Sequence, residues 1–299
     1  MVSDVIDRND RFRGILDRLA TKSIDDYYNP YRLFEWPDRL PEDMWWMSPE
    51  LTTTYGTEWA EKLTPEQLHR LSKHESINFY SLNVHGIREL LIEVVGRIHT
   101  AGFETPSEFF HHFIGEENEH MWFFAEFCLR YGGKIYRQPA GAETAGTGAD
   151  GTGADGTSAK IQSLLVFARI LIFEELVDHF NSQMAEDVRL HETIRGINRI
   201  HHQDESRHIA FGRELVDLLH RDLKETASEE ELAYISTYLR RYLKHSFDSL
   251  YHPQVYRDAG LENPHELRRA LLDSPARAEA EQRTFRKTVR YLEKTGLVR

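Results

Sequence analysis

The sequence predicts an all-α protein, a four-helix bundle with additional N- and C-terminal helices. Three observations carry this. Four long segments repeat their apolar residues at helical spacing, strand-like alternation is nearly absent, and cap and breaker residues punctuate the segments in pairs. At 299 residues and 40% apolar content, the chain is long enough to bury a sizeable core.

Residues 1–63 form an expected N-terminal arm packed on the core. A short amphipathic helix from Arg11 to Leu19 leads into a passage where Tyr27, Tyr28, Tyr31, Phe34, Trp36, Trp45 and Trp46 alternate with Pro30, Pro37 and Pro41. Prolines at that density forbid a long helix, and so many aromatics need a surface to cover. The second region, 64–299, carries the bundle. Thr64-Pro65 reads as N-cap and N1 of a helix running to about Thr100. Gly102 breaks the chain, Thr105-Pro106 opens a second helix, and Gly132-Gly133 ends it near Tyr131. Two long helices joined by a short turn make an antiparallel hairpin. Residues 139–158 repeat Gly-Thr-Gly-Ala-Asp, lack side chains to bury, and read as a flexible linker. A third helix is expected from Ala159 to Asp187, a fourth from Thr193 to Arg221, and charged helical segments follow from Glu229.

Composition narrows the function. A net charge of −12 argues against a nucleic-acid surface and offers no basic patch to an anionic membrane. Cys128 is the single cysteine, so no intrachain disulfide can form, and its position suggests inert core. No signal-peptide core or membrane-spanning run is visible, so a cytoplasmic location is expected.

The chemistry concentrates where acids replace apolar residues. His201, Glu205 and His208 stand at i, i+4 and i+7, on one face of the fourth helix. On the second helix the inward stripe reads Phe110, Phe113, Glu117, His120, Phe124, so Glu117 and His120 form a Glu-x-x-His pair. Their neighbours Glu116 and Glu119 point elsewhere, either solvated or supporting the ligands from behind. On the third helix Glu174 falls in the sector of Phe167, Ile170, Leu171, Asp178 and Asn181, with Glu175 about 100° round as the alternative. On the first, Glu89 is the better-placed acid and Glu93 the alternative, because reflection about the Gly102 turn sets Glu89 opposite Glu117. A carboxylate from each of two helices plus Glu-x-x-His from each of the other two is the arrangement of ferritin-like di-iron and di-manganese bundles. Four buried carboxylates repel one another and take up protons unless cations neutralise them, and two divalent ions match their charge. Oxygen and imidazole donors suit iron or manganese. His201 exceeds that count, as a core histidine or a third nitrogen ligand.

With these residues the sequence resembles the ferritin-like di-iron N-oxygenases of the p-aminobenzoate N-oxygenase type. The motifs that carry the likeness are Glu117-x-x-His120, the acid at Glu174, and His201-x-x-x-Glu205-x-x-His208, spread over about residues 65–222. The resemblance implies two iron ions, with dioxygen as co-substrate. Glu117 and Glu205 would bridge the irons, Glu89 and Glu174 would be terminal carboxylates, and His120, His201 and His208 nitrogen ligands. It implies a monooxygenase that converts an amine, aryl or carrier-bound, to hydroxylamino, nitroso or nitro products in specialised metabolism such as antibiotic biosynthesis. An external electron donor and a homodimer follow by the same analogy. No catalytic residue beyond the ligands is assigned. Arg88, Arg97, Arg169 and Arg207 are candidate anchors for a carboxylated substrate, and Phe110, Phe113, Phe124 and Phe167 candidate lining. Carbon hydroxylation or desaturation by the same cluster, and a ferritin-like iron-binding protein, are the competing readings.

Overall fold

The computed structural model describes residues 3–7, 9–138 and 158–299. Its regular elements are helical, with no strand among the described residues; an isolated bridge joins Trp45 to Leu190. The six longest helices are α1 (Asp10–Asp25), α2 (Pro65–Val95), α3 (Ser107–Phe127), α4 (Ala159–Glu186), α5 (Glu192–Lys224) and α6 (Glu229–Asp248). The linker expected over 139–158 lies outside the described residues except for Ser158. That residue caps α4, its hydroxyl accepting from the Ile161 N–H.

Local chemistry sets most helix ends. Thr64 and Gln67 form a capping box at the start of α2, and Ser228 and Glu231 form another at the start of α6. α1 runs to Asp25 and α5 to Lys224, beyond the expected Leu19 and Arg221, and two boundaries of the first hairpin also differ from the sequence reading. α2 stops at Val95 rather than Thr100, because Gly96 closes its last turn and the chain then bends through His99 (φ 53°) and Gly102 (φ 90°). α3 opens at Ser107, two residues after Thr105. The Ser107 hydroxyl accepts from the His99 N–H at 2.8 Å and donates to the Phe103 carbonyl, tying the bend to the new helix. α3 then continues as one wider turn over Cys128–Gly132 and ends at Gly133 in the left-handed region.

Two antiparallel hairpins, α2–α3 and α4–α5, make the bundle. Aromatic pairs fix their levels: Tyr80 on Phe124 (5.0 Å between centroids), Phe79 on Phe180 (4.9 Å) and Phe110 on Phe167 (6.1 Å). Gly86 is a glycine inside α2 because the Phe173 ring lies 2.3 Å from where a Cβ would stand. Helix α6 packs on α4, while α1 lies against α3 and α5. The aromatic passage before α2 covers α3, with Tyr31 and Trp36 edge-on to Trp122 and Trp46 edge-on to Phe127. Cys128 is buried against the Ile77 carbonyl, and burial pushes its thiol up to about 12, so it is inert.

Candidate metal centre

Six side chains from three helices converge in the middle of the bundle: Glu117 and His120 from α3, Glu174 from α4, and His201, Glu205 and His208 from α5. All are 0–1% exposed. Within this set Glu117, His120, Glu205 and His208 each present a ligand atom, and these atoms lie within 4.8 Å of one another. Nine atoms of the six side chains have no hydrogen-bond partner among the described residues: both oxygens of Glu117, Glu174 and Glu205, Nδ1 of His120 and His208, and Nε2 of His201. They crowd together even so. His208 Nδ1 lies 2.8 Å from Glu117 Oε1, and His201 Nε2 lies 3.0 Å from Glu205 Oε1. Buried polar atoms are nearly always bonded. So many unbonded donors and acceptors facing one volume fit a polyvalent cation better than any internal hydrogen-bond scheme.

The outward nitrogens of the rings are fully engaged. His120 Nε2 bonds Asp204 Oδ2 at 3.0 Å, and His208 Nε2 bonds Glu116 Oε2 at 2.8 Å. With its proton on Nε2, each ring presents a lone pair at Nδ1. Arg207, 4% exposed, donates to Asp204 (2.5 Å), Glu116 (2.7 Å) and Asp26 (3.1 Å), so one guanidinium holds both supporting carboxylates. The Tyr28 hydroxyl adds a bond to Asp204 at 2.9 Å from the N-terminal region. Asn181 contacts His201 Nδ1. Phe113 meets His208 edge-on at 4.5 Å and Phe124 meets His201 at 4.9 Å, so aromatic rings pack on the sides the polar partners leave open.

Electrostatics describe how the group behaves without a cation. Burial pushes Glu174 well above the usual carboxylate range, and Glu205 and Glu117 push it further. Burial also raises Glu205, outweighing His208. For Glu117 burial opposes ionisation, but His120 and His208 hold it well below its ordinary value. Burial disfavours a charged His120, yet Glu117 and Asp204 carry it up to about 10. Burial takes His201 well below its ordinary value, and charged His120 adds to the effect. Bound cations would displace protons from this set.

The first-helix acids lie elsewhere. Glu89 accepts from Gln138 Nε2 at 3.0 Å and lines a separate cavity of about 100 Å³ bordered by α2, α4 and α6. Glu93 pairs with Arg97 at 2.8 Å and faces Arg169 at 3.7 Å. On α4 the two neighbouring acids separate cleanly, since Glu175 is bound by Arg213 and Thr288 while Glu174 faces the centre. Sequence reasoning missed the roles of Asp204 and Tyr28 and read Arg207 as a substrate anchor. The signal available for Asp204 was its place beside Glu205 and i, i+3 from Arg207 on α5; Tyr28 had none.

A buried histidine and carboxylate group at the heart of a helical bundle defines a class, the di-metal carboxylate proteins. Residues 9–296 match the family of the P-aminobenzoate N-oxygenase AurF, and the chain belongs to that family of di-iron N-oxygenases. It is an oxidoreductase of the N-oxygenase type. No curated protein matches the chain. Among the described residues no helix is long and apolar enough to cross a membrane.

Proposed function

We propose that Glu117, His120, Glu174, His201, Glu205 and His208 hold two iron ions, and that the protein uses dioxygen to N-oxygenate a small aryl amine. The nine unbonded, buried donor atoms carry this reading. Nitrogen and oxygen donors without thiolate suit iron, with manganese as the second metal of the same preference. When bound, the metal pair supplies activation of dioxygen and part of the electrons. An external donor supplies the rest.

The chain's own residues do the positioning. Asp204 and Glu116 hold the Nε2 protons of His120 and His208, fixing both tautomers and both ring planes. For His201 the useful tautomer has its proton on Nδ1. An Asn181 amide turned so that Oδ1 accepts that proton frees Nε2 and gives the otherwise unbonded Oδ1 a partner. Phe113, Phe123 and Phe124 exclude water around the rings. A cytoplasmic homodimer acting in specialised metabolism completes the proposal, by analogy with the family.

Anaerobic loading with ferrous iron, desalting and metal analysis test it first, followed by oxygen and a reductant in the presence of aryl amines. About two irons per chain and hydroxylamino, nitroso or nitro products are expected. Iron far below one per chain overturns the metal reading. Iron accumulating well beyond two, with the amines untouched, would make the protein a storage bundle.

A further inference from the structure

We infer that α2 contributes no carboxylate to the centre and that Asn83 takes that place, offering its neutral amide oxygen to one of the metals. This rests on the di-metal reading above.

Helix α2 has four acids, and none joins the group. Glu66 is exposed in the first turn, and Glu75 is bonded to Thr53. Glu89 is bonded to Gln138, and Glu93 is paired with Arg97. The face of α2 that looks into the bundle can be followed from its contacts. Tyr80 stacks on Phe124 of α3 and accepts from Asn198 of α5 at 2.6 Å, while Phe79 stacks on Phe180 of α4. Phe79 meets Phe180 and Gly86 meets Phe173, so α2 and α4 run in opposite directions. Because α4 and α5 form an antiparallel hairpin, α2 and α5 run the same way. Three residues beyond Tyr80 on α2 is Asn83, and three beyond Asn198 on α5 is His201. The next inward position, Ile87, is fully buried and cannot ligate. Asn83 is therefore the polar side chain that α2 brings to the level of the centre.

Its bonding agrees. Asn83 is 1% exposed, its Nδ2 donates to the Phe79 carbonyl at 2.8 Å, and its Oδ1 has no partner among the described residues. It joins the ligand atoms in that respect. It also borders the cavity lined by Gly86, Glu89, Phe173 and Val177. With Glu117, Glu174 and Glu205 as the carboxylates, two divalent ions leave one positive charge unneutralised by the protein. The compact group of Glu117, His120, Glu205 and His208 makes one well-furnished position. The second relies on Glu174, His201 and a neutral oxygen, and holds its metal less tightly.

The test titrates ferrous iron anaerobically into the full chain against a competing chelator, which reads stoichiometry and affinity without turnover. Wild type should bind two irons of unequal affinity. Asn83→Asp supplies the missing carboxylate at unchanged volume and should tighten the weaker iron by about tenfold, whereas Asn83→Leu should loosen it by about tenfold. Both variants binding as wild type would overturn the Asn83 assignment, leaving Oδ1 to a water in the cavity and the di-metal reading intact. Wild type binding less than one iron would instead overturn the underlying reading. If Asn83→Leu melts early by circular dichroism, the isosteric aspartate decides alone, and unchanged affinity in it counts against the inference.

Discussion

Glu75 and Glu174 are both buried, and burial raises both above the ordinary carboxylate range. They differ in what their oxygens touch. Glu75 accepts from the Thr53 N–H at 3.1 Å and from the Thr53 hydroxyl, which in turn accepts from Tyr256 at 3.0 Å. Glu174 accepts from nothing among the described residues and faces two further acids. Glu75 is a completed polar network, stable as it stands. The Glu174 group is incomplete without cations. Burial of an acid therefore does not locate chemistry; unbonded oxygens beside unbonded imidazole nitrogens do.

That contrast is broken most directly at Glu205. Glu205→Ala should reduce bound iron to one or none per chain and abolish amine oxidation, while Glu75→Gln should leave iron stoichiometry at the wild-type value. Equal metal loss in both, measured by elemental analysis of folded protein, would dissolve the distinction. The supporting acids come next. Asp204→Asn and Glu116→Gln each exchange an anionic acceptor for a neutral one behind a ligand ring, and should cost about 10–100-fold in iron affinity or turnover. Unchanged chelator competition in both would mean that the rings need no such support.

Glu75 also supplies a pH signature. Its folded value is pushed from 4.5 to about 7, and an acid raised on folding stabilises fully below its unfolded value. That contribution is lost as pH rises from about 4.5 through about 7. Glu75→Gln mimics the protonated form, so it should be near-neutral at pH 5 and stabilising at pH 8, on the order of 2 kcal/mol. Urea melts of the metal-free protein at the two pH values check this. A variant equally destabilised at both would mean that Thr53 requires the carboxylate itself.

How much of this was legible in the chain depends on how local the information was. Glu117 with His120, and Glu205 with His201 and His208, each lie on a single helix, where spacing alone puts side chains on one face. Glu174 was readable because α4 has a clear inward stripe. On α2, reflection about the turn set Glu89 opposite Glu117, whereas Tyr80 stacked on Phe124 implies Ile87 opposite Glu117. Nor could reflection find the face. Helix α2 is buried on several sides between Leu71 and Val84, so no stripe selects one. Even the apolar Val95 at its end is 52% exposed. The supporting layer was less visible still: Asp204 and Arg207 pair at i, i+3 on α5, but Glu116 and Asp26 reach Arg207 only across helices. Arg207 looks like a free cation until three carboxylates are seen around it.

One long-range link in this layer makes the smallest and most discriminating prediction. Tyr28 lies 176 residues from Asp204, yet its hydroxyl donates to the same Oδ2 that receives the His120 Nε2 proton. Tyr28→Phe deletes that donor and little else. Asp204 keeps Arg207 and His120 as partners, so the loss should be one hydrogen bond to a charged group, about 1.5–3 kcal/mol at most. Part of this would fall on global stability and part on the acceptor strength of Asp204. With fewer donors Asp204 draws harder on the His120 proton, which makes Nδ1 the better ligand. The variant should therefore melt earlier while binding iron as tightly as wild type or slightly tighter. A parallel fall in melting temperature and iron affinity would instead make Tyr28 a positioning residue for the whole supporting layer, and the covering segment before α2 part of the centre it closes.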